Sequence, residues 1–417
     1  MSNKMGGYQW WVVFLLWGGC VIQTLDQGSL AVAAPYIMKE LDMSPVMMGF
    51  ALSSFWWTYC AMNIPLGLLA DKIGAKKALG WSAFAWSFIT ALTGLANNYI
   101  TLIAFRLGLG ASEAALQPIN FKVAKETFSA EQRGTAVGLF NSGKRVGLAI
   151  VPIIVTYLMS AWSWRVAFYI TGIASLGWVA LWFFTFRDVK SDPAASAAAS
   201  EKVPWMELIK NRTILSLFTS KFFQDYMYIM FVSWLPSYLV MERGFTVIKM
   251  GWYVSIPWIV TFCALPLVGM LSDTLIKRGM SVTKARKGVI IGGHLIASTI
   301  VFAVYTDSPV IAIVLMTIAV AAESAASTML LVATAEVAPK KVSGAVIGFV
   351  NTAGGLAGIV APVITGFLLS ITGNFQQAFL VSSIFIIIAA LTMWKGVGKI
   401  EQIELGKKEV IVGTNVS

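Results

Sequence analysis

In the apolar stretch "IAFRLGLGASEAALQP", residues 103–118, two side chains of opposite charge stand seven residues apart, Arg106 and Glu113. Seven residues are close to two helical turns, so both project from one face, about 10 Å apart along the axis. Asp26 in "TLDQGSLAVAAP" (24–35) is a third charge set among apolar residues, and Lys144 and Arg145 interrupt another such run. An apolar setting favours the neutral form of an acid, and a nearby cation favours the charged form. An ionised group near the centre of an apolar run is costly, so each of these charges is expected to face a partner or a water-filled cavity.

The elements that must hold these side chains follow from composition. Of 417 residues, 57% are hydrophobic and only 12% charged, against about 25% charged in soluble domains; mean hydropathy is +0.75. A bilayer is the solvent that suits such a chain, one span needing about 20 apolar residues. Apolar runs fall near 11–35, 46–69, 78–97, 100–121, 135–159, 165–186, 213–240, 250–271, 288–305, 309–333, 344–371 and 377–395. The expected fold is an all-α polytopic membrane protein with twelve transmembrane helices in two six-helix halves. The halves are 1–186 and 213–395, with a cytoplasmic middle loop at 187–212 and a cytoplasmic tail at 396–417.

Net charge is +11, which could signal nucleic acid, but the basic residues sort by loop. With this placement 22 of the 31 Lys and Arg fall on the side of the two termini, and four (Lys39, Arg165, Arg243, Lys249) on the other. Basic loops stay inside, so both termini are expected in the cytoplasm, and nucleic-acid binding loses its support. Cys20, Cys60, Cys263 and the single histidine, His294, show no metal-ligand spacing and are read as packing residues. No phosphate-binding GxxxxGK[ST] loop is present, and an enzyme is not expected.

The two halves also align with each other. "GTAVGLFNSGKRVGLAIVPII" (134–154) matches "GAVIGFVNTAGGLAGIVAPVI" (344–364) without gaps, so that Gly134/Gly344, Gly138/Gly348, Asn141/Asn351 and Pro152/Pro362 coincide. "GLLAD" (67–71) matches "GMLSD" (269–273). Repeated six-span halves are a known plan for secondary transporters.

"GLLADKIGAKKA" (67–78) resembles the loop signature between spans 2 and 3 of the major facilitator superfamily, with Ala75 where a basic residue is common. "FWWTYCAMNIPLGLLAD" (55–71), "FRLGLGASEAALQP" (105–118) and "GFVNTAGGLAGIVAP" (348–362), with the stretch around Asp26, resemble the anion:cation symporter family. That family includes bacterial galactonate, glucarate and hexuronate carriers. The resemblance implies a proton-coupled symporter that brings a small organic anion (sugar acid, dicarboxylate or sulfonated acid) into the cell by alternating access. It implies protonation at Asp26 and Glu113, and an Arg106 that pairs with the first acid or helps bind the anion. A purely structural Asp26–Arg106 salt bridge is the alternative, and such a pair is expected in one state of the cycle.

Substrate-facing candidates are Arg106, Lys144, Arg145, Tyr59, Asn351, Asn141, Thr328, Lys221 and Gln27. Consecutive residues differ by about 100° around a helix, so only one of Lys144 and Arg145 is expected to face the cavity fully. Gln27 stands where many members have arginine, Lys144 where many have glutamine, and Glu323 is an additional acid in span 10. Several cations would suit an anion with two charged groups. Lys221 either faces the cavity or snorkels to the interface, and Lys122 is expected at the interface. Asp71, Lys72, Gly74 and Arg133 are expected to form a cytoplasmic gate that holds the outward-open state. No cofactor is expected beyond the proton. The expected partners are the anion and membrane lipid, the oligomeric state a monomer, and the location a bacterial inner membrane. A drug exporter and a non-transporting anion sensor are the competing readings.

Overall fold

The computed structural model describes residues 5–188, 204–339 and 342–403; within them the chain is helical, with no strand. The first half runs α1 (Gly7–Glu40), α2 (Pro45–Ile73), α3 (Ala75–Thr93), α4 (Tyr99–Glu113), α5 (Leu116–Thr127), α6 (Ala130–Ala161) and α7 (Trp164–Thr185). A short α8 (Trp205–Lys210) precedes α9 (Arg212–Met241), α10 (Val247–Lys277) and α11 (Val282–Ala297), which a 3-10 turn (Ser298–Val304) extends. Then come α12 (Pro309–Val337), α13 (Ser343–Thr372) and α14 (Gln376–Lys395). Counting α4 with α5, and α11 with its 3-10 turn, twelve long helical bodies follow the order of the twelve apolar runs. Eight of them are long and apolar enough by length and composition alone to cross a membrane. Among the other four, α1 and α9 have ample length but bury Gln23, Thr24 and Asp26, and Ser220, Gln224 and Asp225, respectively. Residues 189–203 of the expected middle loop, Lys340, Lys341 and residues 404–417 of the expected tail lie outside the described residues.

Helix starts follow local chemistry. The side chains of Ser44, Asn98, Ser129, Ser163, Ser281 and Ser308 each accept a hydrogen bond from a first-turn amide, satisfying donors a helix cannot pair internally. Small residues then let helices approach. A Cβ at Gly110 would collide with the Phe55 carbonyl of α2, and one at Gly143 or Gly147 would meet Trp17 or Thr24 of α1. These glycines seat α4 on α2 and α6 on α1, which brings the charged faces of α4 and α6 toward one centre.

The buried apolar residues divide unevenly between the two ends. At the end away from the basic loops, one cluster joins both halves: Met38, Met48 and Val155 pack with Trp234, Met250 and Ala361. At the basic end the clusters stay within a half, Val12, Trp86 and Phe140 in the first, and Leu217, Leu330 and Val350 in the second. The contacts between halves repeat this: Gly49 of α2 abuts the Pro362 backbone and Gly251 of α10 abuts Thr156 of α6. By contrast, a Cβ on Gly134, Gly138, Gly344 or Gly348 would meet open space. The cleft between the halves is therefore closed away from the basic loops and open toward them.

Candidate functional site

The helix carrying Arg106 and Glu113 is not continuous. Pro118 has no N–H to give the Ala114 carbonyl four residues earlier, and Asn63 of α2 donates to that carbonyl instead, at 3.3 Å. The backbone turns at Ala114–Ala115, and Gln23 of α1 donates to the Glu113 carbonyl at 3.2 Å. Span 4, expected as one helix over 100–121, is therefore two, Tyr99–Glu113 and Leu116–Thr127. Pro118 was the signal for the break, which leaves Glu113 as the last residue of α4.

Glu113 is fully buried, and among the described residues neither of its carboxylate oxygens has a hydrogen bond of good geometry, the Gln23 side chain being the polar neighbour that acts on it. Arg106 is 3% exposed; its guanidinium lies 5.0 Å from the centre of the Phe55 ring, and Nε and Nη1 make no hydrogen bond. Cation–π contact of this kind holds an arginine without neutralising it. Asp26 accepts from Ser175 of α7 at 3.0 and 3.3 Å. The Asp26–Arg106 pair expected in one state is not formed in this one, where Ser175 is the hydroxyl that donates to the carboxylate. Asp26, Arg106 and Lys144 all act electrostatically on Glu113, so the four charges share one site in the first half. Tyr59 stacks on Phe55, lies edge-on to Trp56, and feels the charge of Glu113. Gln27 is half-buried on α1.

Lys144 and Arg145 part company, as their angular separation requires. Lys144 faces Cys20 and Glu113, whereas Arg145 crosses to the second half, donating to Ser324 Oγ of α12 at 3.3 Å. The second-half copies of this pair are Gly354 and Gly355, and the structure gives the reason. A Cβ at Gly354 would collide with the Asp225 carboxylate, and one at Gly355 with Cys60 Sγ. Where the first half sends out cations, the second leaves room for an acid from α9 and a residue of α2.

Lys221 does not snorkel to the interface. Its Nζ holds both Asp225 oxygens, at 2.5 and 2.6 Å, one turn along α9. Gln224 Nε2 donates to Asp225 Oδ1 at 3.3 Å, and its Oε1 meets His294 Nε2 at 2.9 Å. An amide oxygen only accepts, so Nε2 carries the histidine hydrogen. His294, expected to be mere packing, orients this amide. Asp225, Gln224, Ser175 and Gln23 were not anticipated from the sequence. Asp225 was legible by the criterion that found Asp26, and its i,i+4 spacing from Lys221 is a helix-pair signal.

The remaining candidates are less engaged. Asn141 donates to the Val137 carbonyl and Thr328 to the Ser324 carbonyl of their own helices, and Asn351 is exposed. At the basic end, Asp71 takes Lys122 at 2.7 Å, which also meets Glu126. Arg133 donates instead to the Lys125 and Phe128 carbonyls where α5 ends. With the cleft open on this side, the Asp71–Arg133 contact expected of the outward-open state is not formed, and Lys122, expected at the interface, pairs with Asp71 there. Lys72 is exposed, and Gly74, at φ +87°, ends α2; Asp188 caps α3 from beside it, accepting from the Lys76 amide at 2.8 Å.

Twelve helical bodies in two repeated sets, enclosing buried charges at their interface, are the build of a secondary transporter. The chain belongs to the Major Facilitator Superfamily, whose family model matches residues 16–362 and, overlapping, 279–409; it is a multi-pass membrane transporter and not an enzyme. It is 32% identical over 413 residues to the probable galactarate/D-glucarate transporter GarP of Escherichia coli K12, covering 92% of this chain and 93% of that one. It is also 32% identical over 397 residues to a hexuronate transporter of Bacillus subtilis 168, with the same coverages. Among solved structures, a bacterial homologue of the human lysosomal transporter Spinster has a like fold, with TM-score 0.79, 19% identity and coverage of 94% and 98%.

Proposed function

We propose that this protein is a proton-coupled symporter that carries a small organic anion, of the sugar-acid, dicarboxylate or sulfonated-acid class, into a bacterial cell across its inner membrane. The halves, 1–186 and 213–395, rock about the central site as a monomer with both termini in the cytoplasm. The observation that carries the reading is Glu113: a fully buried acid at a helix break, without a hydrogen bond of good geometry among the described residues, within the field of Arg106 and Lys144. A buried charge is costly unless paired, so two cations beside an unbonded acid suit a site completed by an anion. Arg106 and Lys144 receive the anion, Tyr59 and Gln27 line its path, and Arg145 and Lys221 meet it from the other side. Asn141, Thr328 and Asn351 offer polar contacts once the halves close on it. Asp26 and Glu113 exchange protons as the anion draws the cations away. The sugar-acid names of the two relatives support the substrate class. With the basic loops inside, the conformation described here is open to the cytoplasm. Asp71, Lys72, Gly74 and Arg133 then act as the gate of the opposite state.

The test is uptake by proteoliposomes of glucarate, galactonate, glucuronate, a dicarboxylate and a sulfonated acid, with and without an inward proton gradient. Accumulation of one of them under the gradient alone, lost in Glu113→Gln, is the expected result. Accumulation driven by sodium instead, or none of any compound beside a working control carrier, would overturn the reading.

A further inference from the structure

The second half contains a buried acid that the mechanism above leaves idle. Glu323 follows Glu113 by 210 residues, the offset that also places Gly134 on Gly344, Asn141 on Asn351 and Pro152 on Pro362. Their helices begin in the same register, α4 at Tyr99 behind the Asn98 cap and α12 at Pro309 behind the Ser308 cap. Both acids are thus the fifteenth residue of their helix, and both are buried, Glu323 being 2% exposed. The first helix of each half adds an aspartate, Asp26 on α1 and Asp225 on α9. The acid pair of the first half therefore has a counterpart in the second.

The surroundings of Glu323 are suited to change. Its Oε2 accepts from Ser324 Oγ at 3.2 Å, and the same oxygen of Ser324 accepts from Arg145 Nη1 at 3.3 Å. Arg145 belongs to α6 in the first half, so this link spans the cleft and must break or re-form when the halves rock. The charged and titratable groups facing Glu323 are Arg145 from α6 and Lys221 and Asp225 from α9, with Tyr228 of α9 alongside. His294 of α11 stands behind Lys221. Lys221 is committed to Asp225 and reaches Ser327 Oγ of α12 at 3.5 Å. Static packing explains the Lys221–Asp225 pair but not Glu323, whose hydrogen bond among the described residues is to a hydroxyl. A well-packed apolar side chain of similar volume would cost less there.

We propose that Glu323 is a further proton-binding site of the transport cycle, in the second half. One carboxyl oxygen takes a proton from cleft water on one side of the membrane and returns it to water on the other. Arg145 and Lys221 are the cations that an arriving anion draws away from the acid. The inference rests on the symport reading above, and adds a proton to the number that Asp26 and Glu113 carry.

Two measurements on the purified full-length protein test it. The first needs no substrate: infrared difference spectra of the carboxyl stretch through a pH titration, in the wild type, Glu323→Gln and Glu113→Gln. Each variant should lose its own protonated-carboxyl component and keep the other's. The second is the proton-to-substrate ratio, from reversal potentials in proteoliposomes with glucarate or whichever anion of the panel is carried. The ratio should fall by one in Glu323→Gln and be restored in Glu323→Asp. An infrared spectrum unchanged by Glu323→Gln, a ratio unchanged by it, or a sodium-dependent ratio overturns the proposal. A Glu323 component that is lost in Glu323→Gln while Glu113→Gln removes none, or while no anion of the panel is accumulated under a proton gradient, tells against the symport reading instead.

Discussion

The two halves share a repeat yet treat their buried charges differently. In the first, Arg106 rests on an aromatic ring, and Glu113, faced by Lys144, has no hydrogen bond of good geometry among the described residues. In the second, Lys221 grips Asp225, Gln224 and His294 brace the pair, and Arg286 at the basic end joins Asp273 to Glu336. The first half is electrostatically unfinished and the second largely satisfied. An unsatisfied site has affinity to offer a ligand, whereas in the second half the Lys221–Asp225 pair is already satisfied and Glu323 meets a hydroxyl. The repeat supplied the same helices twice, and side-chain choice at a few positions separated the roles.

The comparison can be broken most directly at Glu113. Glu113→Gln should abolish gradient-driven uptake while preserving substrate exchange in counterflow, since an amide retains the shape but carries no proton. Loss of exchange as well would place Glu113 in binding rather than coupling. Arg106→Ala should weaken anion binding by about 10–100-fold, the worth of one charge-assisted hydrogen bond, as read by calorimetry. An unchanged affinity would remove the arginine from the anion site.

The satisfied half should respond in stability. Lys221→Met alone leaves Asp225 without its ion-pair partner and should destabilise by about 3–5 kcal/mol. The double variant Lys221→Met with Asp225→Leu should recover most of that loss, and thermal unfolding in detergent compares them. A double variant as unstable as the single would show that the pair is more than scaffold. Gly49→Val, which places side chain against the Pro362 backbone, should disfavour the closed end by about 1–3 kcal/mol of overpacking. Thiol labelling of Leu68→Cys, at an exposed position near the basic end, should then fall several-fold. The smallest effect is expected at the surface: Asp71 is more than half exposed, so Asp71→Asn should cost under about 1 kcal/mol in unfolding measurements. Its consequence for transport rate would report on the gate in the opposite state.

Much of this architecture was legible beforehand because helix formation is local. Ser and Asn caps, apolar runs and the 210-residue repeat place twelve bodies to within a few residues, although the span expected at 288–305 begins at Val282. The charges that had to matter were equally visible, because an ionisable group in an apolar run is rare whatever surrounds it. Partner choice was not legible. Asp26 is expected to pair with Arg106 in one state of the cycle, yet here Ser175 of α7 donates to it, a hydroxyl indistinguishable in sequence from the many others in apolar runs. Asp71 went to Lys122 rather than Arg133 because the cleft is open at that end, leaving Arg133 to close the carbonyls of α5.

The sequence by itself therefore determined the medium, the helices, their repeat and the list of buried charges, all of which follow from composition and from spacing along one chain. The tertiary structure decided which charges meet, that Arg145 crosses the cleft while Lys144 does not, and that Gly354 makes room for Asp225. Those outcomes depend on distances of a few ångströms between helices far apart in the chain, and hydrogen bonds are sensitive to distance on that scale.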